Sequence, residues 1–375
     1  MEDDSDAIKK IFAEARVPAV PDVSDQARVR LTGISSRAWE HPADRAALTA
    51  LRKVPGFDQM LRTLFGWIPE RSLRLLYLGN AVRVGGGQFQ RIDRLFDECC
   101  AILDAERRPE LFVAGPRELN AGAIGWDRPL IVLNSGAIEL LDDDELRFVL
   151  AHELAHVVSG HVLYKTMVRI ALSVVLFRFG FGVPLLVLRG LLIALLEWDR
   201  KSELSADRAG LLCVQDPRVA FRVHMKTAGG SHIDQMNVDA FMKQAEDYER
   251  SGDAIDSLLK LRALLNRRHP FPVLRIAELK RWVDAGDYAR ILGGDYPRRG
   301  EDDDASLRDD LKRSADAYKE SWTGSGDPMA RFVSDLGSTV GDMGNSVFDQ
   351  VREFFRRGPS EGDGGKRPDG AGDDA

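Results

Sequence analysis

Apolar residues recur at helical spacing along most of the chain. From about residue 82 to residue 103 they return every three or four positions, which predicts an amphipathic helix. Helical patterns dominate again from residue 142 to about residue 292. The segment from Asp142 to Glu145, with acidic residues three apart, predicts a capping box at the start of a long helix. The pattern therefore predicts a mainly helical protein.

The apolar pattern changes between these two helical regions. Short apolar runs at residues 111–114, 120–124 and 130–133 are bounded by turn-forming residues, and each predicts a β-strand. Residues 126–129 predict the turn between the last two strands. We expect a small antiparallel sheet, and the fold class is predicted to be α+β, mainly α.

Composition divides the chain into three parts. Residues 1–60 alternate short helical patterns with prolines and predict an N-terminal extension, and residues 61–296 predict the main domain. Residues 297–375 hold 12 of the 52 Lys and Arg residues but 18 of the 59 Asp and Glu residues, and they predict a mostly disordered acidic tail. Within the tail, residues 329–357 carry apolar side chains at helical spacing. Two interpretations are open: an amphipathic helix that folds on a surface or partner, or a last helix that packs on the domain.

Charge and cysteine content exclude several classes of protein. The formal net charge is -7, most of it in the tail, so no basic face for nucleic acid is expected. The three cysteines form neither a disulfide framework nor a zinc-ribbon pattern, which favours a reducing compartment. The acidic first residues are not followed by an apolar run, so we expect no secretory signal and a cytoplasmic location.

The strongest chemical signal is the sequence His152-Glu153-Leu154-Ala155-His156 within the predicted long helix. Two histidines four residues apart project from one helix face, so their imidazoles can occupy two corners of a tetrahedral zinc site. Glu153 can reach a water bound to that metal and act as its general base. The pattern predicts one zinc ion per chain and a hydrolytic reaction.

A third protein ligand is needed to complete such a site. The glycine and third histidine that follow the motif in metzincins are replaced here by Ser159 and Val162. His161 lies five residues after His156 and would point about 140° away from it on a regular helix, so a structural role is favoured. Glu203 is the better candidate, and Asp207, one helical turn later, is predicted to hydrogen-bond a ligand histidine.

These motifs resemble the HtpX and CAAX prenyl protease family. Asn120, the His152–His156 motif, Glu203 with Asp207, and His269-Pro270 with Arg275 occur in the family's order, over about residues 82–282. The resemblance implies a gluzincin-type, membrane-linked zinc endopeptidase. It implies that Asn120 lies on a substrate-binding edge strand and helps to hold the scissile carbonyl. It also implies that His269 stabilises the oxyanion.

An almost wholly apolar insert, residues 170–196, separates the two metal motifs. Since His156 and Glu203 must bind one metal, the chain has to leave and return on the same side. Each helical arm would then be only about 15–20 Å long, short of the roughly 30 Å hydrocarbon core. Either the hairpin dips into one leaflet, with Arg178 and Arg189 at the headgroups, or protein covers it.

The sequence as a whole predicts a zinc metalloendopeptidase at the inner face of the cell membrane. Its predicted partners are a protein or peptide substrate along an edge strand and a membrane surface contacted through residues 170–196 and 329–357. Two alternatives are a catalytically idle zinc-binding scaffold and a membrane-surface quality-control adaptor. The presence of Glu153 gives no support to a loss of activity.

Overall fold

The computed structural model describes residues 28–52, 70–176, 185–250 and 271–301. The helices are α1 Pro42–Arg52, α2 Glu70–Asn80, α3 Gln90–Ile102, α4 Ser135–Leu140, α5 Asp143–Val158, α6 His161–Leu176, α7 Leu185–Val214, α8 Pro217–Gly229, α9 Val238–Arg250, α10 Pro272–Asp284 and α11 Asp287–Leu292. The strands are β1 Ala81–Arg83, β2 Glu110–Ala114, β3 Ala121–Ile124 and β4 Leu130–Asn134. The predicted class, α+β and mainly α, is confirmed.

The four strands form one mixed sheet in the order β1-β2-β4-β3. A hairpin joins β3 to β4 across the predicted turn, and these two strands are antiparallel, as are β1 and β2. However, β2 and β4 are parallel, so the prediction of an antiparallel sheet is wrong for this pair. The reason is that β3 takes the edge, and its hairpin returns β4 to the space beside β2.

The helix predicted from residue 82 begins later, at Gln90. Residues 81–83 instead form strand β1, which pairs with β2. Gly85, Gly86 and Gly87 follow with φ values of 105°, 60° and 94°, which a right-handed helix does not allow. The second half of the prediction is confirmed, because the apolar face of α3 is buried in the core.

Helix α5 lies at the centre of the molecule. The predicted capping box is confirmed at its start: Glu145 N donates to Asp142 Oδ1 at 2.9 Å, and Asp142 N donates to Glu145 Oε2 at 3.0 Å. The helix packs against α3, α7, α8 and β3. Since it is covered on so many sides, its polar residues are buried along with its apolar ones.

Helix α7 runs for 30 residues and packs closely along α5. The contact depends on small residues: a Cβ atom added at Gly210 would lie 2.9 Å from Phe148 Cε2 and 3.1 Å from the Phe148 carbonyl oxygen. Ala206 and Ala209 are buried in the same interface region. This close approach brings Glu203 and Asp207 of α7 towards the histidines of α5.

The segment before α1 packs into the same core as the central helices. Leu31, Ile34 and Trp39 are fully buried there, and α1 packs against α7. Ile34 also forms a β-bridge with Arg298, so the two ends of the described chain are paired. The boundary predicted at residue 60 stays a prediction, since residues 53–69 lie outside the described residues.

Both arms of the apolar insert are helical where the structure describes them. Helix α6 ends at Leu176, α7 begins at Leu185, and the two helices contact each other. Over the described ranges, no helix combines the length and apolarity needed to cross a membrane. Residues 177–184 between the arms lie outside the described residues. The predicted tail, residues 297–375, is described only as far as residue 301, so residues 302–375, including 329–357, lie outside them too.

Candidate metal centre

Three residues predicted as metal ligands converge between α5 and α7. His152 Nε2 lies 3.4 Å from Glu203 Oε2, and His156 Nε2 lies 3.2 Å from Glu203 Oε1. One donor atom from each residue falls within 4.8 Å of the others, and all three residues are buried. The two histidine rings stand at 87° to each other with centroids 4.9 Å apart. This cluster could hold a metal ion.

Glu153, the predicted base, is buried beside His152 in α5. Within the described ranges, no hydrogen bond reaches its carboxylate. Asn120 lies immediately before β3, where its carbonyl oxygen accepts from Asn134 N at 2.9 Å. His269 lies outside the described residues, so its predicted position is not tested.

Asp207 connects His152 to further buried polar residues, Arg275 and His224. His152 Nδ1 lies 3.1 Å from Asp207 Oδ1, on the opposite side of the ring from Glu203. Arg275 of α10 donates through Nε to Asp207 Oδ2 at 2.7 Å, and His224 Nε2 lies 3.6 Å from that same oxygen. Burial would raise the pKa of Asp207, but the charges of Arg275 and His224 and the hydrogen bonds from His152 and Arg275 together outweigh it and hold this pKa below its ordinary value.

Glu203 lies between two buried cations. Lys165 Nζ of α6 lies 2.5 Å from Glu203 Oε1 and 2.7 Å from Asp199 Oδ1. On the other oxygen, Arg275 Nη1 lies 3.3 Å from Glu203 Oε2. Burial alone would lower the pKa of Lys165, but Asp199 and Glu203 raise it above its ordinary value. The carboxylate is therefore held in one orientation, with a cation against each of its oxygens.

The chain turns sharply after the second histidine of the motif. Helix α5 ends at Val158, Gly160 adopts a φ of 69°, and His161 begins α6. His161 Nδ1 thereby returns to within 3.1 Å of His156 Nδ1. The 140° separation assumed for a regular helix does not apply, because the helix has ended. His161 stays outside the three-residue cluster but contacts one of its members.

The two cluster histidines differ in their electrostatic surroundings. Burial disfavours the charged form of each ring. At His152, the hydrogen bonds and the negative charges of Asp207 and Glu203 together outweigh burial and raise the pKa to about 9. At His156, burial and the nearby Lys165 leave the pKa well below its ordinary value. Since metal ions bind neutral imidazole, a metal at this site competes with a proton mainly at His152.

Sequence reasoning missed several residues around this site: Lys165, Asp199, His224 and Asp44, whose Oδ2 lies 3.1 Å from His161 Nε2. Asp44 and His224 lie far from the motifs along the chain, and neither follows a recognisable pattern. The one available signal was Lys165, a charged residue four positions after His161 in a strongly apolar helix. Lysine is almost never buried without a partner, so its position indicated a buried carboxylate nearby.

Comparison with known proteins agrees with this geometry. The sequence model of peptidase family M48 matches residues 87–283, which include every cluster residue. The Arabidopsis thaliana protein named plastoglobule-localized metallopeptidase 48, chloroplastic, is 36% identical over 259 residues, covering 68% of this chain and 74% of the relative. Fold, cluster and similarity together define a metalloprotease. The chain belongs to peptidase family M48.

Shorter similarities extend to bacterial proteins. A protein named protease HtpX homolog from Helicobacter pylori is 36% identical over 95 residues, or 25% of this chain and 31% of the relative. A protein of the same name from Bacillus licheniformis is 32% identical over 131 residues, which cover 34% of this chain and 44% of the relative. The chain thus spans less than half the length of these two relatives. No solved structure matches it.

Proposed function

We propose that this protein is a zinc-dependent endopeptidase of the gluzincin type, with one zinc ion bound by His152, His156 and Glu203. The observation that carries the proposal is the convergence of these three side chains, with donor atoms within 4.8 Å of one another. Two imidazole nitrogens and one carboxylate oxygen are a donor set typical of catalytic zinc sites. Within the described residues, the buried His156 Nε2 makes no hydrogen bond of good geometry, and Glu203 Oε1, which lies 3.2 Å from it, belongs to another proposed ligand; this arrangement fits a metal bound between them.

Each buried group would have a distinct part in hydrolysis. When bound, zinc would supply a Lewis acid that polarises the scissile carbonyl and makes water more acidic. Glu153 would take a proton from the attacking water and deliver it to the leaving amine as the carbon–nitrogen bond breaks. Asp207 would accept the Nδ1 proton of His152 and so fix that ring's tautomer. Lys165 and Arg275 would hold the Glu203 carboxylate in place.

Two further roles rest on the family resemblance. Asn120 would help to hold the scissile carbonyl from its place at the start of β3. The hydrogen bond that its backbone carbonyl accepts from Asn134 supports this role, because it fixes the main chain at that point. His269 would stabilise the oxyanion from the segment before α10.

The β3 edge of the sheet, which is partly buried, offers a place for an extended peptide. In the β3–β4 ladder, Asn134 N donates to Asn120 O, so residues 120, 122 and 124 face β4. The main-chain groups of Ala121 and Ala123 therefore point away from the sheet. The Ala123 carbonyl faces outwards and accepts from Arg169 Nη1 at 3.0 Å, so a substrate N–H would have to share or replace this bond. A substrate pairing here would be read mainly through its backbone, which suits unfolded or extended protein segments.

Replacing Ala121 by Pro tests this substrate edge. The change removes one outward N–H without breaking a bond to β4, and an edge strand accepts proline. One lost hydrogen bond is worth about 0.5–1.5 kcal/mol. We expect KM for casein-derived peptides to rise by about twofold to tenfold, with little change in kcat.

Arg83→Pro is the matched control, because it removes an outward N–H from the opposite edge strand, β1. It should leave KM unchanged. Equal KM values for Ala121→Pro and wild type would place the substrate elsewhere.

Chelation tests the proposed function as a whole. The zinc-loaded protein should hydrolyse casein at internal bonds, lose this activity with 1,10-phenanthroline, and regain it when zinc is added back. Hydrolysis that persists after complete removal of the metal would contradict the proposal.

We also propose that the enzyme works at the cytoplasmic face of the membrane, with surface contact through residues 170–196 and 329–357. The support is the apolar sequence of both segments and the paired helical arms of the first. The full chain should co-sediment with anionic phospholipid vesicles, and a variant lacking residues 329–357 should do so less. A full chain that stays in the supernatant would contradict membrane contact.

A further inference from the structure

The two metal-binding histidines are supported in different ways. His152 meets a carboxylate directly, through the 3.1 Å contact between Nδ1 and Asp207. His156 meets another histidine instead, through the 3.1 Å contact between its Nδ1 and His161 Nδ1. On the far side of the second ring, His161 Nε2 lies 3.1 Å from Asp44 Oδ2. A chain of three side chains therefore leads from the metal cluster to the N-terminal helix α1.

The direction of the protons along this chain follows from chemistry. A neutral histidine that binds metal through Nε2 carries its proton on Nδ1 and must donate it. His161 Nδ1 is the group placed to accept from His156. A neutral His161 then carries its own proton on Nε2, where Asp44, an acceptor only, receives it. Every link has one donor and one acceptor, and the carboxylate at the end fixes the direction.

Asp44 is itself held firmly. Ser205 Oγ donates to Asp44 Oδ2 at 2.6 Å, and the Ser205 hydroxyl oxygen accepts from His41 N at 2.8 Å. Asp44, His161 and Ser205 are all at least 98% buried by exposed fraction. The ring of Trp198 lies edge-on to His161, with centroids 5.7 Å apart. The hydrogen-bonded series from His156 to Asp44 is thus shielded from water, which could otherwise supply alternative donors and acceptors.

We propose that His161 and Asp44 are positioning residues for the metal ligand His156: Asp44 fixes the tautomer of His161, and His161 fixes the tautomer and orientation of His156. The N-terminal segment is then part of the metal site. This inference rests on the proposed function, since it requires a metal at His156.

We call the hydrogen-bonded series His156, His161 and Asp44 the relay. Zinc affinity measured against a chromophoric chelator tests it in the full-length protein. His161→Phe keeps a ring but removes both nitrogens, and Asp44→Leu removes the final acceptor. Loss of such outer contacts weakens metal binding by about 10–100-fold, and we expect losses of this size for both variants. His161→Gln can still accept from His156 and donate to Asp44, so it should recover most of the affinity lost in His161→Phe.

Leu31→Ala is the control for general destabilisation. Leu31 is fully buried in the same N-terminal segment as Asp44 but is not a member of the relay. This variant should melt at a lower temperature and bind zinc as wild type does. Equal zinc affinities for His161→Phe and wild type, or a His161→Gln variant as weak as His161→Phe, would overturn the relay.

Nitrogen-15 NMR of histidine-labelled, zinc-loaded protein gives a readout that a purely structural role would not predict. His161 should show protonated Nε2 and unprotonated Nδ1, assigned by its loss in His161→Gln. The opposite tautomer would overturn the relay even if the variants bind zinc weakly. A wild type that binds no zinc would instead contradict the proposed function itself, and the relay with it.

Discussion

Replacing Glu153 by Gln is expected to lower the rate of casein hydrolysis by about 10²–10⁴-fold while leaving bound zinc unchanged. The amide keeps the shape of the side chain but cannot take a proton from the attacking water. Glu153 does not belong to the group of three residues that could hold the metal, so zinc binding should not depend on it. The measurement is kcat for hydrolysis together with zinc content by atomic absorption on the same samples.

Glu118→Gln provides the control for this variant. Glu118 is exposed and lies on the loop before β3, so its replacement should leave both quantities unchanged. A Glu153→Gln enzyme with near-normal kcat would exclude Glu153 as the base. If the Glu153→Gln replacement left the protein's biological activity unchanged, the alternative of a catalytically idle zinc-binding scaffold would be favoured.

The second large effect is expected at Asp207. Asp207→Ala leaves Arg275 with one fewer carboxylate in a buried site, and removing one partner of a buried ion pair lowers the free energy of unfolding by about 3–5 kcal/mol. It also removes the acceptor for His152 Nδ1, which should weaken zinc binding by about 10–100-fold. Urea unfolding of the zinc-free protein and chelator competition measure the two effects separately.

The double variant Asp207→Ala with Arg275→Met separates stability from metal binding. Removing the unpaired guanidinium should restore part of the free energy of unfolding, while zinc affinity stays low. Asp284→Asn, which breaks the exposed Lys280–Asp284 pair, should cost less than about 1 kcal/mol. If Asp207→Ala were no more destabilising than this control, the buried network would have little influence on stability.

Local sequence patterns pointed to the three residues that form the candidate metal cluster. The spacing of His152 and His156 places both rings on one helix face, and the pair Glu203 and Asp207 has the same property. The structure brings all three proposed ligands together and sets Asp207 behind His152. The capping box at Asp142 could be predicted from the sequence just as readily, since it depends on residues only three apart.

Features that depend on long-range packing could not be predicted in this way. Strand direction in the sheet depends on β3 taking the edge, which no local pattern specifies. Asp44 reaches His161 only because the N-terminal segment packs against α7. The position of His161 depended on where α5 ends, and Gly160 was a signal for that end that the sequence interpretation did not use.

Zinc content and casein hydrolysis, measured side by side on wild type and Glu203→Ala, test the central claim most directly. We predict one zinc ion per chain and chelator-sensitive hydrolysis in the wild type, with both lost in the variant and the helical circular dichroism signal retained. Zinc retained in a folded Glu203→Ala protein would contradict the assignment of the third ligand. A zinc-loaded wild type that leaves casein intact would contradict the assignment of a general endopeptidase activity.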